Sequence, residues 1–417
     1  MKKIIIDGGR KLTGKINISG AKNSLVALIP AAILSDDIAE IYNVPNISDK
    51  HALLEILDYL KVDVVDIHSK LIISTKKMQN KEINEYFSKK LRASYYFMGA
   101  LLAKYKRAEV HIPGGCKIGK RPIDLHIMGF EKMGAVVRVE EEKYIIEAEN
   151  LHGADIEFSF PSVGATINIM LAASKAKGIT TIKNAAKEVE IINIGNFLIS
   201  MGCKITGLGT SEITIEGINE LKKGKISVIP DRIEAGTYVI LGALLGENLL
   251  IEGFIKEYNE ALIEQLDKMG VNFSINKDSI LLNKVENIKP TNVVSGAYPE
   301  FPTDLGQPMQ LLLTQATGKS TFKETIYENR MGHIKYLNKM GASIIVKNNE
   351  AIFDGPTKLK GDIITAVDLR GGAALVIAGL LANGTTVIND VDHILRGYEN
   401  IIYKLTEVGA IIRIEEI

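Results

Sequence analysis

Chemistry concentrates in one stretch, His111-Ile-Pro-Gly-Gly-Cys-Lys-Ile-Gly-Lys-Arg-Pro-Ile-Asp-Leu-His126. Its glycines let backbone N–H groups come close to a ligand, and Lys117, Lys120 and Arg121 surround a thiol with positive charge. Such a setting favours thiolate, so Cys116 is a candidate nucleophile or proton donor; the alternative is a small residue in a tight turn. The same stretch imitates a nucleotide-binding P-loop, since Gly114 to Lys120 fits glycine-x4-glycine-lysine. The match fails at the next position, where Arg121 followed by Pro122 replaces the Ser or Thr that would hold magnesium.

Arginine is scarce beside lysine, which makes its placement informative. Arg121, Arg330 and Arg396 fall in corresponding polar turns, where a symmetric fold would converge them on a phosphate or carboxylate. Carboxylates occupy matching places: Asp304 in Phe-Pro-Thr-Asp, Asp368 in Asp-Leu-Arg-Gly-Gly, and Asp231 with Glu234. Asp304 and Asp368 each precede an apolar helical stretch, so each reads as a helix N-cap or, beside arginines, as a general base. Lys22-Asn23-Ser24 has the same ambiguity: Asn or Ser caps a helix over Leu25 to Leu34, and Lys22 binds an anion or faces solvent. The seven histidines show no short ligand spacing and no cysteine pair accompanies them, so no metal site is expected. Gly207-Leu-Gly209 lacks the third glycine of a dinucleotide fingerprint, so no cofactor is indicated.

These residues need a scaffold. The chain has 417 residues, 46% of them hydrophobic and 24% charged, enough for more than one core. Lys+Arg and Asp+Glu are both 50, so there is no basic excess of the kind that marks nucleic-acid or membrane-surface binders. Two distant cysteines, no signal-peptide pattern at the N-terminus and no apolar run near 20 residues point to a cytoplasmic protein. A Met-Gly-Ala-like corner recurs at Met133-Gly134, Met201-Gly202, Met269-Gly270, Met340-Gly341 and Val408-Gly409, with a degenerate first copy at Lys61-Val62. The interval of about 70 residues makes each copy a whole supersecondary unit. In the last copy the pattern predicts a strand from Gly384, an amphipathic helix over Tyr398 to Glu407 and a strand over Ala410 to Ile414. Val163 to Ala176 and Leu369 to Ala382 are apolar nearly all round, which predicts buried helices with strands outside them. Cys203 lies in a repeat corner where other copies carry Ala or Val, and reads as core. Six units should divide into two groups of three, with a crossing near Pro230-Asp231-Arg232.

Ser19-Gly-Ala-Lys-Asn23, the Pro113 to His126 segment, Pro161-Ser-Val-Gly-Ala-Thr166, Pro230 to Gly236, Phe301-Pro-Thr-Asp304, Glu328-Asn-Arg330, Asp368-Leu-Arg370 and Arg396-Gly-Tyr398 together resemble the UDP-N-acetylglucosamine 1-carboxyvinyltransferase family. That family transfers enolpyruvyl from phosphoenolpyruvate to UDP-N-acetylglucosamine at the start of bacterial peptidoglycan synthesis. The resemblance implies an α/β fold of two inside-out, barrel-like domains, each of three repeats, with the active site in the interdomain cleft. It implies domains of 22–229 and of 1–21 plus 230–417. It assigns Lys22, Asn23, Arg121 and Arg396 to phosphoenolpyruvate. The UDP-sugar falls to Asn23, Arg92, Arg121, Pro122, Ile123, Asp124, Leu125, Ser162, Val163, Asp304 and Ile326. Asp304 would take the proton of the sugar 3′-hydroxyl, and Cys116 would protonate phosphoenolpyruvate or form an adduct with it. Lys22 and Arg396 complete the catalytic set, Asp368 matches a second acidic position, and fosfomycin, an epoxide, is expected to alkylate Cys116. No metal, cofactor, nucleic acid or membrane is implied.

The sequence departs from the family pattern at Glu300, where glycine is usual, and at Gly306, both flanking Asp304. Because the family closes around its substrate, the Gly114 to Arg121 loop is expected to fold over the site when the sugar nucleotide binds. Two rivals remain at this point: an enolpyruvylshikimate-phosphate synthase, against which Lys22-Asn23-Ser24 and Cys116 both speak, and a catalytically silent sugar-nucleotide sensor of the same fold.

Overall fold

The computed structural model describes residues 2–112 and 122–416. The chain folds as two compact units, one of residues 20–112 and 122–229, the other of residues 2–19 and 230–416. Each unit holds three sheets around its own apolar core.

Six apolar helices form the two cores. In the N-terminal unit they are α1 (Lys22–Ala32), α2 (Phe97–Tyr105) and α3 (Val163–Ala173). In the C-terminal unit they are α4 (Arg232–Leu245), α5 (Gly306–Leu313) and α6 (Leu369–Leu381). All of α4 and α5, and Arg370 to Leu380 of α6, are buried, as the lack of a polar face in the sequence requires. In the first unit α2 packs on α1 and α3; in the second α4, α5 and α6 pack pairwise. Each large aliphatic side chain withdrawn from water here contributes about 1.5–3 kcal/mol.

Around α3, α5 and α6 the chain makes a parallel crossover. Asp155–Glu157, α3 and Ile179–Lys183 form one; Asn292–Gly296, α5 and Gly318–Lys323 another; Ile363–Thr365, α6 and Thr385–Asn389 a third. An outer helix and an antiparallel hairpin complete each of the first five copies, while in the last the strand Ile411–Glu416 pairs with Lys2–Asp7 instead. Glu260–Met269 shows why the outer helices lie flat: it buries Leu262, Ile263, Leu266 and Met269, one stripe at helical spacing. It ends at Gly270 with φ +71°, and the equivalent corners Gly134, Gly202, Gly341 and Gly409 also take positive φ. Lys61, the degenerate first corner, is forced into the same region at φ 60°.

The N-terminal strand Lys2–Asp7 lies between Thr385–Asn389 and Ile411–Glu416, antiparallel to both, with Ile4 opposite Ile388 and Ile414. Within the same unit Leu12–Asn17 pairs in parallel with Gly246–Glu252. Within the N-terminal unit Gly224–Ser227 pairs in parallel with Ile38–Tyr42.

Several expected boundaries move. The first core helix starts at Lys22 and carries no side-chain cap, so neither Asn23 nor Ser24 caps it. Pro30 lies inside it, where its missing N–H leaves one interior rung unmade, and the helix ends at Ala32. The last outer helix spans only Ile401–Glu407, since Asn400 turns at φ 50°, and the strand beyond it is Ile411–Glu416.

Candidate active site

In the C-terminal unit the site begins with Pro302, which ends a short strand and leads into the 3₁₀ turn Thr303–Leu305. Asp304 does not cap α5, whose N-cap Leu305 has no side-chain bond. Its carboxylate is gripped from two sides instead. Arg330 Nη2 donates to Oδ1 at 2.5 Å, while Arg370 Nε and Nη2 donate to Oδ2 at 3.3 and 3.1 Å. The arginine side chains are 5% and 3% exposed and that of Asp304 26%, so buried cations hold a carboxylate that still reaches the surface. Charge-assisted bonds of this kind keep a carboxylate ionised.

Arg370 is itself placed by Asp368, whose Oδ1 accepts from the N–H groups of Arg370 and Gly371, both at 2.9 Å. Asp368 is thus the N-cap of α6, the role its position predicts. Burial presses Arg370 toward its neutral form, but the adjoining Tyr398 oxygen and the Asp304 and Asp231 carboxylates outweigh it and raise its pKa above the ordinary range. The guanidinium lies 5.4 Å from the Tyr398 ring centroid, and Tyr398 Oη meets Thr237 Oγ1 at 2.9 Å. His333 is fully buried beside this cluster; burial first, then Arg330, push its pKa down to about 4 against the opposing pull of Asp368. Arg396 is half-buried at the end of the short helix Asp392–Leu395, and Ile326 is 41% exposed on the loop after Gly318–Lys323.

The two departures beside Asp304 have local explanations. Glu300 is exposed, with its carboxylate folded over Gly296, where any Cβ would collide with it. Gly306 makes room for the buried Phe322 ring: a Cβ there would fall 2.9 Å from Cζ. Neither disturbs the pairing of Asp304 with its arginines.

In the N-terminal unit Lys22 opens α1, with Nζ 3.3 Å from the buried carboxylate of Asp49, and Asn23 beside it is half-buried. Arg92 starts the 3₁₀ turn Arg92–Tyr96 and is also half-buried. Pro122 and Asp124 are exposed at the start of the helix Asp124–Lys132, whereas Ile123 and Leu125 turn into the core. Ile123 and Leu125 thus offer a ligand only their backbone, where the first turn of a helix leaves N–H groups unpaired. Ser162 caps α3, its Oγ accepting from Ala165 N–H at 3.3 Å, and Val163 follows it half-buried.

Behind Ser162 stands a polar pair that sequence reasoning missed. Asn168 Oδ1 accepts from Gly99 N–H at 2.9 Å, which orients the amide so that Nδ2 donates to Nδ1 of His126 at 2.9 Å. His126 is therefore the neutral Nε2–H tautomer, and burial followed by the charge of Arg92 pushes its pKa down to about 3. Gly164 leaves space for this ring and for the Tyr95 hydroxyl. A polar residue inside the otherwise apolar α3 was the available signal. The arginine clamp on Asp304 was equally hidden, although the scarcity of arginine pointed toward it. Cys203 is buried as expected, its thiol pushed up to about 11 mainly by burial. Cys116, Lys117, Lys120, Arg121 and the expected closing loop lie outside the described residues. Among the described residues no His, Cys, Asp and Glu gather as a metal site, and no helix is long and apolar enough to cross a membrane.

Residues 6–405 match the profile of the family described as EPSP synthase (3-phosphoshikimate 1-carboxyvinyltransferase). The chain is 46% identical to UDP-N-acetylglucosamine 1-carboxyvinyltransferase 2 of Lactococcus lactis subsp. lactis, with 100% of both chains covered. It is 48% identical to the protein of the same name from Listeria monocytogenes, over 98% of this chain and 96% of that one. Among solved structures it resembles the enolpyruvyl transferase NikO from Streptomyces tendae at a TM-score of 0.91 and 23% identity, covering 99% of each. It also resembles EPSP synthase from Acinetobacter baumannii at a TM-score of 0.77 and 18% identity, covering 100% of each. These two likenesses speak to the fold, two three-repeat α/β domains with helices inside.

Proposed function

We propose, from the premise that this chain belongs to the UDP-N-acetylglucosamine 1-carboxyvinyltransferase family within the EPSP synthase superfamily, that it transfers the enolpyruvyl group of phosphoenolpyruvate to the 3′-hydroxyl of UDP-N-acetylglucosamine, releasing phosphate. The product commits the sugar nucleotide to peptidoglycan, and the work belongs in the cytoplasm.

The observation that carries this reading is Asp304, ionised between two buried arginines yet exposed at its outer edge. A carboxylate held this way is a weak base toward a free alcohol. It becomes competent as the hydroxyl oxygen bonds to the enol carbon, because the acidity of that hydroxyl rises steeply during addition. In our assignment Asp304 takes the hydroxyl proton while Cys116 delivers a proton to the methylene carbon, giving a tetrahedral phospho-ketal. Loss of phosphate with a proton from the new methyl group restores the double bond. Lys22, Arg121 and Arg396 hold the carboxylate and phosphate of phosphoenolpyruvate and stabilise the charge that develops there. Asn23, Arg92, Arg121, the 122–125 stretch, Ser162, Val163 and Ile326 hold the UDP-sugar. Fosfomycin would inactivate the protein by alkylating Cys116.

Phosphate release from phosphoenolpyruvate plus UDP-N-acetylglucosamine tests the reading, for the native chain and Asp304→Asn. Native turnover that the variant loses while still binding the sugar nucleotide is the expected result. Turnover with shikimate 3-phosphate in place of the UDP-sugar would overturn the substrate assignment, and binding without any turnover would overturn the enzyme assignment.

A further inference from the structure

A buried carboxylate lies one residue's contact away from Asp304, against Thr303, and the steps above make no use of it. Glu324 follows the strand Gly318–Lys323 and is 3% exposed. Among the described residues it has no salt-bridge partner, and four neutral donors meet its charge. Ser295 Oγ, Ile326 N–H and Tyr327 N–H donate to Oε1 at 3.0, 2.8 and 3.2 Å, and Thr303 Oγ1 donates to Oε2 at 2.7 Å. The hydroxyl proton of Thr303 is thereby committed to Glu324, leaving its lone pairs to accept from Arg330 Nη1 at 3.1 Å. The other end of the same guanidinium, Nη2, holds Asp304. Tyr327, whose N–H Glu324 also fixes, puts its ring 5.0 Å from the Arg330 guanidinium.

We infer that Glu324 is a positioning residue for the reaction: through Thr303 and Tyr327 it fixes the face of Arg330 that orients Asp304, and through the backbone at residue 326 it sets the loop carrying Ile326. The inference rests on Asp304 being the base. Four donors need the acceptor capacity of a carboxylate; a glutamine offers one oxygen and turns two N–H groups on partners that are already donors. A carboxylate buried only to close the 324–327 turn would affect folding, not the titration of Asp304.

The pH dependence of kcat/KM for phosphate release separates these roles. Among the described residues, the titratable or charged groups that act on Asp304's two arginines or on their buried neighbour His333 include Asp368 at the start of α6, His333 itself ahead of Ile334–Lys339, Asp231 ahead of α4, and Tyr398. Thr303→Val alters the charge of none of them. It removes the anchor of Arg330, weakens the hold on ionised Asp304 and so moves the acid limb to higher pH, by about one unit. kcat/KM near neutrality should fall roughly tenfold. Thr303→Ser restores the hydroxyl and should return both to native values, and Thr303→Val combined with Glu324→Gln should lose no more than Glu324→Gln alone. An acid limb for Thr303→Val that coincides with the native one, or losses that multiply in the double variant, would overturn the inference. Turnover retained by Asp304→Asn would overturn the base assignment and this inference together, whereas a silent Asp304→Asn with an unshifted Thr303→Val would overturn this inference alone. If Glu324→Gln does not fold, the Thr303 pair decides without it.

Discussion

The ion pair between Glu234 and Lys404 gives a stability prediction whose size follows from the structure. Glu234 lies in α4 with its side chain 1% exposed; its Oε1 accepts from Lys404 Nζ and its Oε2 from Ser19 N–H, both at 2.7 Å. Lys404 also donates to Ser19 Oγ at 2.7 Å, tying the N-terminal segment and the helix Ile401–Glu407 to the core helix. Burial already raises the Glu234 pKa above its ordinary 4.5, and Lys404 is the leading influence that opposes it. Lys404→Met leaves the carboxylate with two routes. It stays charged and unpaired, at about 3–5 kcal/mol, or it takes up a proton. Protonating a group of ordinary pKa 4.5 at pH 7 costs about 3.4 kcal/mol, 2.5 units at 1.36 each. The cheaper route sets the loss at about 3 kcal/mol, or a fall of about 1 M in the urea midpoint. Because the folded pKa is the raised one, the stability contributed by the protonated form is fully present below pH 4.5 and is lost as pH rises toward the folded value. The deficit of Lys404→Met should therefore shrink by up to about 1.4 kcal/mol for each unit of acidification below pH 7, until the native protein's own raised Glu234 pKa is reached and both titrate together. Urea titrations at pH 5, 6 and 7 measure it, and Glu234→Gln/Lys404→Met should recover most of the loss and remove its pH dependence. A deficit under about 1 kcal/mol at pH 7, or one equal at pH 5 and pH 7, would refute the reasoning.

Lys61→Gly should stabilise the protein by about 1 kcal/mol by relieving a left-handed lysine, and Gly202→Ala should destabilise it by as much although its Cβ has room; urea midpoints give both signs. His126, held neutral with a folded pKa of about 3 against an ordinary 6.5, contributes stability that is present above pH 6.5 and is lost as pH falls toward 3. Its ring should show no NMR titration between pH 5 and 8, and His126→Gln should flatten the acid side of the stability profile. With its thiol pushed up to about 11, Cys203 should resist labelling in the native protein at pH 8, so intact mass should show a fosfomycin adduct in Cys203→Ala and none in Cys116→Ser.

Reading the sequence located the architecture because the relevant signals are local. Each corner glycine answers a positive φ required at its own position, and each all-apolar helix had to be enclosed because no face of it can meet water. Asp368 was legible as a cap for the same reason, since a cap bonds residues two or three places further on. Asp304 looked identical by that criterion and is not a cap: Arg330 and Arg370, 26 and 66 residues away, compete for its carboxylate and win because they are buried cations. Nothing in the spacing of Thr303, Glu324 and Arg330, or of Gly99, His126 and Asn168, marks them as partners; their bonds exist because folding within one repeat, for the first three, and packing of two repeats, for the second three, brings strand ends and helix ends together. By itself the sequence determined which segments hide from water, where the chain turns and which family it resembles, since these depend on near neighbours. Only the tertiary structure decided which proton faces which oxygen around Asp304 and His126, because burial makes every donor there compete for acceptors that distant parts of the chain supply.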